Sequence, residues 1–500
     1  MATGEAMFIN GQSTVSVTRR SYQVVIAATR DMGLGMDMKL PWDLPTDSQF
    51  FHDVTTRTTD PTRRNATIMG RKSWESTPLE IRPLPGRLNI VLTKSSCHNI
   101  AIDENVLVCD SMESALELLA TEPYSLSIEK VFVIGGGELL RNYMNAPSCD
   151  AIHLTEIDIS VPCDAFAPRV DTSLYHPWYS SFPIVENGIR YSFNTYVRRK
   201  DAVVGSGEKK SAAGSDFKEY SFLPKMVFER HDEFGYLNLI QNIISSGDMN
   251  DNNTLTKFGC QMRFNLRKTF PLLTTKKVFW LGVVEEILQL ISGSINPMEK
   301  GSNIWDSDEA NEYLNSFGVN ATEEDGDHQH LYGLQWKHTD ASQLSDVINK
   351  IKNNPHNQRI MLSACNPSDL KLSVSPCQTF AQFYVANGEL SSQIYQSSTE
   401  ASIEIPFSIT TYSLLTCIIA HVCDLVAGDF IYVIGQARIN KARVKAIQKQ
   451  LQISPKPFPV STITTRSYKP YFALSQIRKL YNFFCLSNVL TVQTDFKNQP

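Results

Sequence analysis

Apolar and polar positions along the chain fall into two regimes divided by a polar stretch. The first clear strand is SYQVVIAAT, followed by glycine-rich DMGLGMD, and ATIMG, LNIVLT, KVFVIGGG and AIHLTEID are further β-branched apolar runs. Helical spacing of apolar residues falls between several of them, as in SMESALELLAT. Strands alternating with helices predict an α/β domain built on a mainly parallel central sheet with flanking helices. It ends near Arg199, after strand-like IRYSFNTYVRR. Residues 200–216, KDAVVGSGEKKSAAGSD, are small, polar and aperiodic, which predicts a flexible linker. A second domain is under way by Phe228. Its helices EFGYLNLIQNIISSG and GVVEEILQLISG precede strand-like AQFYVANGELSSQIYQ and FIYVIG, an α+β pattern, and no internal repeat is visible.

Composition narrows the class. The 500 residues are 42% apolar and 20% charged, with net charge −5, which gives no electrostatic reason to expect nucleic acid or an anionic membrane as partner. Ten cysteines without paired spacing suggest neither a disulfide framework nor a zinc site, so no metal is expected and a reducing compartment is. TYSLLTCIIAHVCDLVAG, interrupted by His421 and Asp424, reads as a buried helix too short and too polar to span a bilayer. The first twenty residues lack a signal-peptide core. Their Ser/Thr, Arg19 and Arg20 against Glu5 are a weak mitochondrial hint beside a cytoplasmic expectation.

Some positions carry two readings. In LPWDLPTDSQFF, residues 40–51, Asp47 follows Thr46 at the start of a helical pattern, and on that evidence alone an N-cap is favoured over a catalytic carboxylate. VIGGGELL, residues 133–140, is a strand, a glycine turn and a helix start, fit either for a phosphate or for strand–helix packing. Arg71, Lys72 and Lys94 are solvated charges or a phosphomonoester cluster. Cys377, in SVSPCQTF, is a nucleophile or a small buried hydrophobe, and alone the second reading leads.

Taken together and in order, IAATRDMGLGMDMKLPW, LPTDSQFF, MGRKSWES, RPLPGRLNIVLTKS, VIGGGELL and HLTEID resemble dihydrofolate reductase over residues 22–199. The resemblance implies NADPH-dependent reduction of dihydrofolate, with every residue the hydride transfer needs in place. Asp47 would hold the pterin and help deliver a proton to N5 through water, with Thr155 hydrogen-bonded to it and Val25 nearby. Phe51 would pack on the aminobenzoyl ring and Arg87 would grip the glutamate α-carboxylate. Gly135, Gly136 and Gly137, with Glu138, would admit the NADPH pyrophosphate. Arg71, Lys72 and Lys94 would select its 2′-phosphate, and Ala27, Gly35, Leu40, Ser73, Leu92 and Thr93 would complete the cofactor site. The segment from Met36 to Trp42 would close on the nicotinamide.

KFGCQMRFNLRKTFPLLTTKKVFW, NIWD, YGLQWKH, QRIMLSACNPSDLKL, PCQTFAQFYVANGELS, YQSS and IPFSITTYSLLTCIIAHVCDLVAGDFIYVIG resemble thymidylate synthase over roughly residues 228–459. Reductase, linker and synthase in one chain resemble the bifunctional enzyme of plants and protists. The expected division is an extension 1–20, reductase domain 21–199, linker 200–227, synthase-like domain 228–459 and a divergent tail 460–500.

Cys377 stands at the position of the synthase nucleophile. The resemblance implies that four arginines hold the dUMP phosphate, two of them donated by a partner subunit. Here those positions are Met249, the pair Gln358 and Arg359, and Ser397, so three of the four are lost. At about 1.5–3 kcal/mol for each hydrogen bond to a charged group, the loss is on the order of 5–9 kcal/mol, or roughly 10³- to 10⁶-fold in affinity. Gln378, Glu400, Ser408, Arg438 and Asn440 replace the family's histidine, aspartate, asparagine and deoxyribose-binding His and Tyr. The loop before Cys377 is one residue shorter than the family's, and a segment after YGLQWKH is missing. Glu286, Trp305, Tyr332, Gln396 and Ser398 persist, as does the apolar framework. Three functions stay open: a reductase with an inactive synthase-like scaffold that forms a homodimer, a regulator that forms heterodimers with intact paralogues, and a fully bifunctional enzyme that also uses methylenetetrahydrofolate.

Overall fold

A computed structural model describes residues 20–94, 100, 104–199, 220–250, 253–280, 282–284, 286–287, 341–363 and 379–460. The first strand of the pattern is β1 (Tyr22–Thr29), and seven of its eight residues are buried. It lies between β6 (Ile128–Gly135) and β7 (Cys149–Ile157), parallel to both, and the continuous apolar run reflects a strand covered on both faces. Beyond β6 the parallel set continues through β3 (Arg64–Gly70), β4 (Arg87–Leu92) and β5 (Val106–Cys109). β10 (Ile184–Glu186) and β11 (Ile189–Arg198) complete the other edge, in the order β10-β11-β7-β1-β6-β3-β4-β5, and β9 (Tyr175–Ser180) pairs antiparallel with β11. The short β2 (Gly33–Gly35) and β8 (Ala165–Phe166) pair apart from this sheet.

Helices α1 (Pro45–Thr56), α2 (Arg71–Ser76), α3 (Met112–Ala120), α4 (Tyr124–Ser127) and α5 (Gly137–Tyr143) interleave with the strands. SMESALELLAT is α3. Its N-cap Ser111 accepts from Ser114 N at 3.1 Å, and it buries Met112, Ala115, Leu116 and Leu119.

The C-terminal half holds a six-stranded sheet ordered β12-β13-β17-β16-β15-β14. Its strands are β12 (Asp248–Asn250), β13 (Thr254–Asn265), β14 (Met361–Ser363), β15 (Thr379–Ala386), β16 (Glu389–Glu400) and β17 (Val426–Asn440). AQFYVANGELSSQIYQ is the β15–β16 hairpin. Asn387 and Gly388, at φ 53° and 73°, make the two-residue turn that this hairpin's twist requires. Helices α6 (Lys225–Phe228), α7 (Glu233–Ser246), α8 (Ala341–Asn353), α9 (Glu404–Val422) and α10 (Val444–Gln450) accompany it. α7, α8 and α9 share one apolar core with the inner face of the sheet. At 19 residues, α9 is long and apolar enough to cross a membrane by length and composition, a longer element than the sequence suggested, yet 83% of its apolar window is buried inside the protein. Only part of the helix expected at GVVEEILQLISG falls among the described residues.

Two compact units result. One runs to Leu174 and takes back Val185–Tyr191, and the other gathers Tyr175–Ile184 and Ser192–Arg199 with the C-terminal half. Within the second unit Asn265 Nδ2 donates to Ser180 O and Ser181 O, both at 3.0 Å.

Candidate active sites

In the first unit the sheet order assembles the site. Ala27 of β1 pairs with Thr155 of β7, and Thr155 Oγ1 donates to Asp47 Oδ1 at 2.7 Å. Asp47 is not an N-cap: Leu44 holds that position without a side-chain cap, and Asp47 sits in the first turn of α1, only 9% exposed. Desolvation raises its pKa to about 6, against the lowering effect of the Thr155 bond and with a further push from Glu186. Val25 is buried beside Ala27 on β1. One turn beyond Asp47, Phe51 stacks under the Arg87 guanidinium at 5.7 Å. Arg87 is 3% exposed and donates to Pro85 O at 3.0 Å and Thr55 Oγ1 at 2.6 Å. Burial lowers its pKa to about 10, and among the described residues no carboxylate pairs with it. A buried guanidinium in that state suits an incoming carboxylate.

The glycine turn lies at the carboxyl ends of the neighbouring parallel strands, where ligands of such sheets bind. Met69 of β3 pairs with Gly135, and Gly70 pairs with Leu92. Gly135 has φ +135°. A Cβ at Gly136 would stand 2.9 Å from Ser73 Oγ, and one at Gly137 would stand 2.8 Å from Phe166 O. Side chains are thus excluded where the backbone must approach a phosphate, so these residues fit the pyrophosphate of NADPH. Arg71, Lys72 and Lys94 are exposed at the same strand ends, with Thr93 next to Lys94 and Glu138 exposed in the first turn of α5. Gly35 leads into a tight turn closed by Met36 N to Lys39 O at 3.0 Å and Lys39 N to Met36 O at 2.9 Å, and Leu40 beyond it is 62% exposed. Trp42 is buried at 7% exposure, and its Nε1 has no hydrogen-bond partner.

In the second unit, the parallel register of β16 and β17 sets Glu400 beside Arg438. Thr256 of β13 pairs with Arg438, Thr254 pairs with Asn440, and Leu255 pairs with Met249, so Met249, Glu400, Arg438 and Asn440 gather at one end of the sheet. Met249 is 55% exposed. The Asn440 side chain accepts from Ala442 N at 3.0 Å. Glu400 accepts from Ser402 N and Ile403 N, both at 2.9 Å, and lies 3.4 Å from Arg443. Glu404 accepts from Thr399 Oγ1 and Glu400 N, both at 2.8 Å. Burial raises its pKa, opposed by those bonds and by Arg438. Lys276 donates to Ser402 O, and burial lowers its pKa to about 7 despite Glu400. Glu286 is driven to about 8 by burial, with Thr411 Oγ1 donating at 3.3 Å.

Gln396 is fully buried and accepts from Tyr432 OH, while its Nε2 has no partner. Ser397 and Ser398 are half-buried, Ser408 is 4% exposed inside α9, and Gln358 and Arg359 are exposed ahead of β14. Cys377, Gln378, Trp305 and Tyr332 lie outside the described residues.

Sequence reasoning missed Glu186, an exposed-looking hairpin residue without a local motif. It also missed Glu404, whose one signal is a lone carboxylate opening the long apolar run EIPFSI.

A family model described as Dihydrofolate reductase matches residues 21–198, and one described as Thymidylate synthase matches residues 234–482. Bifunctional dihydrofolate reductase-thymidylate synthase 1 of Arabidopsis thaliana is 55% identical over 473 residues, covering 90% of this chain and 91% of that protein. The bifunctional protein of Glycine max is 54% identical over 502 residues, 93% and 94% of the two chains. That of Paramecium tetraurelia is 35% identical over 468 residues, 89% and 93%.

Proposed function

Because the chain belongs to the family of bifunctional dihydrofolate reductase–thymidylate synthases, we propose that its first half reduces 7,8-dihydrofolate to tetrahydrofolate with NADPH while its second half keeps the synthase fold without methylating dUMP. The reductase reading rests on one observation, the buried Asp47 held by Thr155 with its pKa near 6. A carboxyl that exchanges its proton close to neutrality suits proton delivery to a pterin ring nitrogen. NADPH supplies the hydride when bound. The chain's own residues orient the pterin through Asp47, meet the substrate carboxylate with Arg87 and leave room for the cofactor backbone along Gly135–Gly137.

Loss of synthase activity is supported by the residues that would meet the nucleotide. Met249, Gln358 and Ser397 offer the phosphate no charge, and two nearby cations already meet the chain's own acceptors: Arg443 lies 3.4 Å from Glu400 and Lys276 binds Ser402 O, while Arg438 acts on Glu404 through its charge and keeps its Nε unbonded. A dianion entering there meets Glu400 at the end of β16 and Glu404 at the start of α9. Titration of the purified chain with dUMP, beside an assay of NADPH consumption with dihydrofolate, tests both halves. Turnover without dUMP capture is expected. Absence of turnover in the folded chain overturns the reductase reading. Tight dUMP capture, or methyl transfer from methylenetetrahydrofolate, overturns the loss of synthase activity and restores the fully bifunctional reading.

A second reading is favoured by the outward face of the six-stranded sheet, where Phe258, Tyr384 and Tyr395 are 83%, 67% and 40% exposed. The chain would pair through it with a second copy or with an intact paralogue. In a mixed dimer, Gln358 would deprive the partner of one phosphate-binding arginine and so inhibit thymidylate synthesis. Unchanged specific activity in purified mixed dimers would remove this reading. The cysteines lack paired spacing in the sequence, which supports a reducing compartment, and we propose the cytoplasm, with a mitochondrion as the alternative.

A further inference from the structure

Helix α1 carries the reductase carboxylate but has no cap of its own. Leu44 offers no side-chain acceptor at its N-cap, and Pro45 in the first turn has no N–H. The first backbone donor of the helix is therefore Thr46 N, one residue before Asp47. That donor is satisfied from across the fold. Glu186, the last residue of β10, accepts from Thr46 N at 3.2 and 3.3 Å and from Thr46 Oγ1 at 2.8 Å. Tyr191 of β11 donates to the same carboxylate at 2.9 Å. The turn between the two strands, Asn187 and Gly188 at φ 51° and 77°, brings Glu186 to this place, and Asn187 Nδ2 ties the turn to Asp43 O at 2.9 Å.

We propose that Glu186 is a positioning residue of the reductase: it caps α1 from the β10–β11 hairpin and, as a fixed negative charge beside Asp47, sets the pH at which Asp47 takes up its proton. The inference deepens the reductase reading and rests on it.

The charges around Asp47 are few. β10 contributes Glu186, β11 the Tyr191 phenol and β7 the uncharged Thr155 hydroxyl, while Arg87 of β4 is turned to Thr55 and Phe51. Glu186 itself stays ionised. Desolvation opposes its charge, but the bonds from Thr46 and Tyr191 outweigh it and hold its carboxyl below the usual range. Tyr191 stays protonated, pushed up to about 12 by desolvation and by its bond to Glu186. The arrangement thus divides two jobs between two carboxyls. Asp47, buried, exchanges a proton near neutral pH, and Glu186, half-buried at the edge, keeps its charge and never shares that proton.

The test is the pH dependence of the hydride-transfer step in single-turnover mixing of the full chain with NADPH and dihydrofolate. Glu186→Gln keeps an oxygen for Thr46 and removes the charge. The inflection belonging to Asp47 is expected to move to lower pH by on the order of half a unit, the effect of a nearby like charge acting through largely aqueous surroundings. Glu186→Ala removes charge and cap together, and is expected to show the same shift with an added rise in KM for dihydrofolate.

Because Glu186 is half-exposed, salt provides a second readout that needs no variant. Raising the ionic strength toward 1 M should move the wild-type inflection downward and leave that of Glu186→Gln in place. An inflection unmoved by both the substitution and salt, in a chain that turns over, overturns the proposal. Failure of the wild-type chain to turn over would instead overturn the reductase reading beneath it.

Discussion

Thr155 Oγ1 lies 2.7 Å from Asp47 Oδ1, joining residues 108 positions apart in the chain. The hydroxyl donates to the carboxylate, favouring its charged form, while the surroundings of the carboxylate favour the neutral one. Burial wins, and Asp47 is left with a pKa near 6. This opposition makes the carboxyl useful, because neither protonation state is far out of reach at neutral pH.

Replacing Asp47 by Asn is expected to lower the hydride-transfer rate by roughly 10²- to 10⁴-fold, the usual contribution of a positioned proton-transfer group, and to leave NADPH affinity intact. The same change should stabilise the protein. A carboxyl whose folded pKa lies above its unfolded value contributes stability below the unfolded pKa and loses it as pH rises through the folded one. From the ordinary 3.8 to about 6, that loss amounts to on the order of 3 kcal/mol by neutral pH. Urea unfolding at pH 7.5 and pH 4 measures it: the variant should be the more stable at the higher pH, with the difference closing at the lower. A variant less stable than wild type at pH 7.5 would contradict the assigned shift.

Thr155→Val acts in the opposite direction to loss of Glu186. The hydroxyl is the influence that holds the Asp47 pKa down. Its removal should move the hydride-transfer inflection upward, by about one unit, and raise KM for dihydrofolate. A downward move would mean that the hydroxyl bonds mainly to the protonated acid.

The fold was legible where its cause is local. β1 and α3 follow from a β-branched apolar run and from apolar spacing under a serine cap, and both appear where the pattern placed them. Asp47 was not legible in this way, because Thr46 and Asp47 ahead of a helical pattern look alike whether the aspartate caps the helix or turns inward. The family resemblance named Asp47 and Thr155 together, and the sheet order that carries Thr155 to the carboxylate gives the physical reason. Glu186 escaped for a related reason, since it finds its role in a backbone N–H 140 positions away, whereas Glu404 bonds the chain just ahead of its own helix, at Thr399 and Glu400. The synthase-like site is harder still. Its members meet through strand register, as Glu400 and Arg438 do, so their neighbours in sequence carry no sign of the encounter.

At the glycine turn, Gly136→Ala would bring a Cβ to 2.9 Å from Ser73 Oγ. The clash should raise KM for NADPH and cost about 1–3 kcal/mol of stability. Ser73→Ala removes the obstructing oxygen, so the double variant should recover most of the stability lost by Gly136→Ala. A double variant as unstable as Gly136→Ala would show that the glycine is needed for another reason. Gly137→Ala should have no such rescue from Ser73→Ala, because the atom it meets is the backbone Phe166 O at 2.8 Å.

The six-stranded sheet carries the last prediction. Strand register lines up Gln261, Val433, Tyr395 and Phe380 in one row across β13, β17, β16 and β15, with Arg263, Ile431, Gln393 and Gln382 in the next. The opposite face of the sheet is spent on the core with α7, α8 and α9, so these rows are what it presents outward. Aromatic and β-branched side chains set among glutamines, with Arg263 of the second row paired to Asp429, have the make-up of a protein interface. The chain should therefore sediment as a dimer at micromolar concentration. Tyr395→Asp, which places a charge in the middle of the apolar row, should shift it to a monomer with its circular dichroism preserved and its reductase turnover retained, since Asp47, Thr155 and Arg87 belong to the other unit. A wild-type chain that sediments as a monomer across that range would refute pairing through this face.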